Sequence, residues 1–382
     1  MRVLIAPDKF KGTLTARRAA EATARALDDV WPEAAAVLLP MADGGEGTLE
    51  AVLSARGGRR ETLVVEGPSL RPRTVPYGVV EADGEQVAVI ESAEVVGAGA
   101  SAAEAAGPVL RRSTFGLGQM IVRLKAMGFR RFWIGLGGSL TNDGGLGMLA
   151  ALGARFWDAA GRPLPPFAES LLHLSRSDTA PALERVRDLT FTVWTDVAAP
   201  LVGPNGATVV FGPQKGLAPE IVAPLDAAMR RYAEQVAGPA AEALIRRCGA
   251  GAAGGLGFAF ALVGAALVPG AEGVASIVGL ERAISAANVV VTGEGKTDRQ
   301  TAMGKVPLFV AETARRLGRP AVLLSGRLGE GWEALSNRFD GMWQTVSDDG
   351  KAPLAPEDAE DRLYRTAREL FRTMRAARLL KA

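Results

Sequence analysis

Along this chain, apolar residues fall in two patterns: short unbroken runs, and runs spaced three or four apart. Arg2 to Ala6 reads as a short buried strand. Thr15 is placed to cap a helix over residues 16–29, in which Ala19, Thr23, Ala26, Leu27 and Val30 share one face. Pro32 stops it. Val37 to Leu39 is a second strand and residues 46–56 a second helix, so the chain opens βαβα, the signature of a parallel sheet. The pattern then changes. Residues 61–66, 73–82 and 86–91 are rich in β-branched residues and are separated by Gly67-Pro68 and Asp83-Gly84, which predicts antiparallel strands. Gly97 to Gly107 is rich in small residues and reads as a loop. Alternation returns with a helix near 116–127, a strand at 131–136, a helix after 144, a strand at 189–195 and a helix near 219–237. Val289 to Val291 and residues 320–325 are strands around a helix at 303–317. Residues 356–379 form a long amphipathic helix through Leu363, Ala367, Leu370, Phe371 and Met374. An antiparallel block between αβ blocks implies one domain inserted into another.

Composition narrows the chemistry. The length of 382 residues is ample for two cores, and a net charge of +2 gives no hint of nucleic acid, whose binders usually show a strongly basic face. One cysteine, Cys248, excludes an internal disulfide, and with the single histidine, His173, it excludes a thiol- or imidazole-rich zinc site. His173 lies away from the acidic loops and reads as a structural or surface position, and Cys248 reads as inert, since nothing marks it as a thiolate. Any metal must be held by oxygen, which favours Mg²⁺. The chain shows no secretory signal, and a cytoplasmic, reducing setting is expected. Cys248 to Ala271 carries no charge, but its glycines predict a loop leading into a buried helix and not a membrane span.

The informative feature is a set of acid- and glycine-rich loops just after predicted strands, where parallel sheets bind ligands. They are Ala6 to Gly12, Ala42 to Gly47, Gly135 to Gly145, Trp194 to Asp196, and Thr292 to Asp298. In the third, the four glycines from Gly137 to Gly145 let backbone N–H groups approach an anion at a helix start, and Ser139, Thr141 and Asn142 add neutral groups. That makes a cradle for phosphate or carboxylate. Glu46 reads as an acid in the first turn of its helix. Lys215 lies between Gly212 and Gly216 and could pair with a phosphate. Gly295-Lys296-Thr297 imitates the end of a P-loop, but position 290 is valine, so the motif fails. Gly304-Lys305 fails at Arg299. No protein-kinase signature set is present.

These segments, taken in order, resemble one family. APDKFKGTLTA at 6–16, ADGGEGT at 42–48, GLGGSLTNDGGLGML at 135–149, TDVAAPLVGPNGA at 195–207, FGPQKG at 211–216, GAGAAGG at 249–255 and TGEGKTD at 292–298 are similar to the bacterial glycerate kinases of the type-1 kind. The likeness runs from about residue 1 to 310. It departs at Glu91-Ser92-Ala93 and at Ser347 to Pro353.

The resemblance implies an α/β protein of two domains with an active-site cleft between them. One is Rossmann- or flavodoxin-like with a parallel sheet (1–56 and 285–382), and the other has a mixed sheet (57–284). It implies ATP as donor, Mg²⁺, and D-glycerate as acceptor, with 2-phosphoglycerate as the usual product. On this footing Asp196 is the expected base, and Lys11 and Lys215 neutralise charge on the phosphates or the glycerate carboxylate. Asp43, Glu294 and Asp298 are expected at the metal, with roles exchangeable among these acids. Asp8, Ser139, Thr141, Asn142, Asp143, Gly293 and Lys305 are expected to line substrate or nucleotide. Two other readings remain at this stage: a kinase for another small hydroxy acid or sugar acid, and a binding protein for a phosphorylated metabolite without turnover. The expected partners are small molecules, with no nucleic acid and no membrane, in a monomer or homodimer.

Overall fold

The first strand forms at the first unbroken apolar run, Val3-Leu4-Ile5. In this computed structural model, which describes residues 1–97, 107–345 and 355–379, β1 (Arg2–Ile5) leads through the helix Ala16–Val30 to β2 (Ala35–Leu38). Thr15 caps that helix, its side chain accepting from Arg18 N at 3.2 Å. A helix at Thr48–Arg56 follows, so Glu46 precedes the helix and does not stand in its first turn. Next come β3 (Arg59–Glu66), β4 (Pro72–Ala82) and β5 (Glu85–Glu91), paired antiparallel in sequence as expected. β6 (Arg131–Gly135) then pairs parallel to β5. A small hairpin of β7 (Arg155–Trp157) and β8 (Arg176–Asp178) precedes β9 (Thr190–Thr195) and β10 (Ala266–Pro269). β11 (Val289–Thr297), β12 (Ala321–Leu328) and β13 (Gly341–Gln344) close the set.

Two compact units result. The first comprises residues 1–43, 50–57 and 271–382, and the second residues 44–49 and 58–270. The first carries a parallel sheet ordered β13-β12-β11-β1-β2. Val3, Ile5, Val291 and Leu324 point to one face, where Leu27, Leu363, Leu370 and Phe371 from two long helices cover them. Leu4, Val290 and Leu323 point to the other face and are buried just as fully. Burial on both faces is what a parallel sheet with crossover helices demands. Each large apolar side chain so buried contributes roughly 1.5–3 kcal/mol. The helix Pro356–Leu379 gives Leu363, Ala367, Leu370 and Phe371 to this core, the stripe its sequence predicts.

The second unit carries a mixed sheet ordered β10-β9-β6-β5-β4-β3. Its core gathers Phe132, Ile134, Phe191, Val193, Tyr232, Phe258 and Phe260. The glycine run leads into the helix Ala252–Leu262, as expected, and Ala253, Gly254 and Gly255 take positive φ at its start. Gly254 (φ +71°) has little choice, because a Cβ there would lie 2.1 Å from the Thr141 carbonyl oxygen.

A second expectation is corrected. Thr292 to Asp298 is not a loop: β11 continues through the motif to Thr297, pairing Gly293 with Leu324, Glu294 with Ser325 and Lys296 with Arg327. The neighbouring strand supplies the hydrogen bonds, and that context outweighs the poor strand propensity of glycine, glutamate and lysine. The small-residue stretch between Gly97 and Gly107 and the divergent stretch Ser347 to Pro353 lie outside the described residues. No helix among the described residues is long and apolar enough to cross a membrane.

Candidate active site

In the parallel sheet the chain runs from β1 outward to β2 on one side, and later from β11 outward to β13 on the other. The switch point therefore lies between β1 and β11, where such sheets bind ligands beyond the carboxyl ends of their strands. Acids converge there. Asp8 follows β1 and is 5% exposed, and its own N–H donates to the Gly293 carbonyl on β11 at 2.8 Å. Lys9 N donates to Asp8 Oδ1 at 2.7 Å, and Lys9 Nζ reaches Asp43 Oδ1 at 3.3 Å. Glu294 is buried on β11 and accepts from the hydroxyls of Thr297 (2.9 Å) and Thr301 (2.7 Å).

Burial raises the pKa of Asp8 to about 7; Lys9 opposes this, while Asp43 and Glu294 add to it. Burial also raises that of Glu294, against the bonds from Thr301 and Thr297. Asp298 differs. Burial works against its charge, but the bond from Lys296 (2.9 Å), the Gln300 N–H and the charges of Lys296 and Lys305 hold its pKa below the ordinary value. Lys305 Nζ bonds Gln300 at 3.0 Å. Lys11 is exposed, so it is Lys9 that meets Asp43. Among the described residues no three His, Cys, Asp or Glu side chains form a ready-made metal cage.

The Asp8 shift has a stability consequence. Its folded pKa lies above its unfolded value, so between the two the folded state holds a proton that the unfolded state has released. Stability without divalent cations therefore falls as the pH rises from about 4 to about 7. Asp8→Asn removes that dependence and stabilises the protein at pH 8 by an amount on the order of a few kcal/mol. Thermal unfolding of both proteins across that range checks this, and parallel profiles would refute it.

The second unit gathers the remaining candidates at the carboxyl ends of β5, β6 and β9. Gly135 ends β6 so close to the Gly44 carbonyl that a Cβ would sit 2.2 Å from its oxygen. The loop beyond is held at Leu136 N to Trp194 O (2.8 Å) and at Leu140 N to Val96 O (2.9 Å). Asp143 is fully buried and turned inward. Its carboxylate accepts from Thr114 N (2.8 Å), Thr114 Oγ1 (2.8 Å), Gly145 N (3.1 Å) and Gly147 N (3.2 Å). The helix start that the sequence offers to a ligand anion is thus occupied by the chain's own acid.

Lys215 follows the helix Ala207–Phe211 in a short 3₁₀ turn, and Nζ donates to Ser139 Oγ (3.1 Å) and Thr141 O (2.7 Å). The residue is partly exposed, but its ammonium end is packed by protein, and burial lowers its pKa to about 7. Asn142 Nδ2 donates to Thr208 Oγ1 at 3.0 Å. Thr141 Oγ1 and Asn142 Oδ1 are buried without a protein hydrogen-bond partner among the described residues. Asp196 stands exposed just past β9. Glu91, at the end of β5, is buried and accepts from Leu49 N at 2.5 Å.

A sequence model of the glycerate kinase family matches residues 3–375. The chain belongs to the glycerate kinase family. It is 38% identical to the glycerate kinase of Halalkalibacterium halodurans over 87% of each chain. It is 36% identical to the glycerate 2-kinase of Escherichia coli over 98% of each. A crystal structure from Salmonella typhimurium, named for a glycerate kinase 2, superposes with a TM-score of 0.83 at 35% identity and 99% coverage of both chains.

Reading the sequence alone misses Thr114, Arg112 and Lys9 as organisers of these sites. Thr114 precedes the helix Phe115–Ala126, where it looks like a cap, but its hydroxyl serves Asp143 instead. Nothing local marks Arg112, two of whose partners, Leu140 and Lys215, lie 28 and 103 positions away. His173 and Cys248 are exposed.

Proposed function

We propose that this chain transfers the γ-phosphoryl group of ATP to D-glycerate, giving 2-phosphoglycerate. The observation that carries the reading is the crowding of Asp8, Asp43 and Glu294 at the switch point of the parallel sheet, in a chain of this family. A carboxyl that burial, helped by two acidic neighbours, makes hold its proton near neutrality fits a site built for a cation. Mg²⁺ usually takes one or two carboxylates and draws its other ligands from phosphates and water, so no full protein cage is needed. Asp43 and Glu294 would hold it, with Asp8 beside them and Asp298 a further acid near Glu294. When bound, Mg²⁺ neutralises charge on the phosphates.

The protein's own groups do the rest. Asp196 accepts the proton of the glycerate hydroxyl as its oxygen bonds to phosphorus and the bond to ADP breaks. Lys215 and Lys11 offset negative charge on phosphate or carboxylate. Ser139, Thr141 and Asn142 supply polar atoms around Lys215, and Asp143 keeps their loop in shape. Gly293 and Lys305 lie in the nucleotide-binding group.

The test is ADP release with MgATP and a panel of acceptors. D-glycerate is expected to give the highest kcat/KM. Faster turnover of another hydroxy acid or a sugar acid would reassign the acceptor. Binding of nucleotide with no turnover of any acceptor would leave a sensor.

A further inference from the structure

Arg112 is 3% exposed, yet it lies in a connecting segment. Its Nη1 donates to the Leu140 carbonyl at 3.0 Å and to the Lys215 carbonyl at 3.1 Å. Its Nη2 donates to the Gly107 carbonyl at 2.6 Å. A planar guanidinium fixes the angles between its donors, so this fork joins three segments in one geometry. Two of them carry Ser139, Thr141 and Lys215. The Lys215 side chain ties the same two segments again, through Ser139 Oγ and Thr141 O. The turn at Lys215 is therefore held from both ends: Arg112 grips its carbonyl while its ammonium grips the loop after β6.

We propose that Arg112 is a positioning residue for phosphoryl transfer, locking the Lys215 turn to the Ser139–Thr141 loop so that the ammonium is held in a fixed place. The inference rests on reading Lys215 as a charge-neutralising group of a glycerate kinase. Arg112 acts through Lys215 and reaches the substrate only by way of it.

Electrostatics gives this role a signature. The charged groups acting on Lys215 are Asp143, from the loop before the helix Leu146–Leu152, and Arg112 itself. Tyr232, on the helix Pro219–Ala237, donates to the Gly144 carbonyl, and burial keeps its phenol protonated. Burial lowers the Lys215 pKa most, Asp143 raises it and Arg112 lowers it further. Lys215 works as a cation, so activity falls as the pH rises through its pKa. Arg112→Met removes a neighbouring positive charge, and the alkaline limb of kcat/KM moves to higher pH. Arg112→Lys keeps a charge but loses the fork.

The experiment measures kcat, KM and the alkaline limb for wild type, Arg112→Met and Arg112→Lys. Amine-specific methylation of Lys215 against pH is read in the same samples by peptide mass spectrometry. Both variants are expected to lose kcat/KM on the order of 10- to 100-fold. Only Arg112→Met shifts the limb and the labelling midpoint upward. Wild-type KM with unmoved limb and unmoved labelling would overturn the proposal. So would failure of both variants to fold, which would make Arg112 a folding residue. A wild type inactive on glycerate would sink the functional reading and this inference with it, whereas an active wild type whose kcat/KM both variants keep would sink this inference alone.

Discussion

Asp196→Asn is expected to lower kcat by about 10²–10⁴-fold with little change in stability. The size follows from the role. A positioned base removes the hydroxyl proton as the new bond forms, and losing it raises the barrier by roughly 3–5 kcal/mol. The placement suits that work. β9 lies between β6 and β10 in the parallel part of its sheet, and Asp196 is the first residue beyond its carboxyl end. The Thr195 hydroxyl accepts from Val197 N at 3.1 Å and shapes the backbone on either side of the acid. Asp196 is exposed, and an amide of the same size costs the fold little at such a position. The KM for ATP should therefore stay near that of the wild type. A folded Asp196→Asn protein with near-normal kcat would remove Asp196 from the base role.

Asp143→Ala is expected to fail differently, through the fold. Its carboxylate satisfies three backbone N–H groups and one hydroxyl in a site with no exposure. Alanine strands those donors away from water, and the cost is about 3–5 kcal/mol. Asp143→Asn is milder. An amide presents one acceptor where the carboxylate presented two, so at least one donor loses its partner, at about 1–3 kcal/mol. Urea unfolding should rank the proteins wild type, Asp143→Asn, Asp143→Ala. The ammonium of Lys215 loses its raising neighbour in both variants, so activity falls along with stability. A loss of less than about 1 kcal/mol in the alanine variant would show that Asp143 does not brace the loop.

The contrast between these two acids marks what sequence can and cannot reveal. Both follow strands and both sit beside small or polar residues. Only the folded chain shows that Asp143 turns back onto Thr114, 29 positions away, while Asp196 stays outside. Nine strands were legible because their apolar runs are short and bounded by turn residues, as at Asp83-Gly84 between β4 and β5, whereas β7, β8, β10 and β13, three or four residues each, were not. The acid motif on β11 was not, since pairing with β12 and not propensity makes it a strand. Long-range partners escape a one-dimensional reading for the same reason. Arg112 meets Lys215 across 103 positions, and Lys9 meets Asp43 across 34. The order of the glycine-rich segments carried the resemblance to glycerate kinases.

The central claim concerns the bond that this protein makes. Purified protein with MgATP and D-glycerate should give a new phosphomonoester signal by ³¹P NMR, growing as ADP appears. Coupling to a single carbon-bound proton is expected, as in 2-phosphoglycerate. Coupling to two protons would move the phosphate to the other hydroxyl. No phosphomonoester from folded, nucleotide-binding protein would contradict the account.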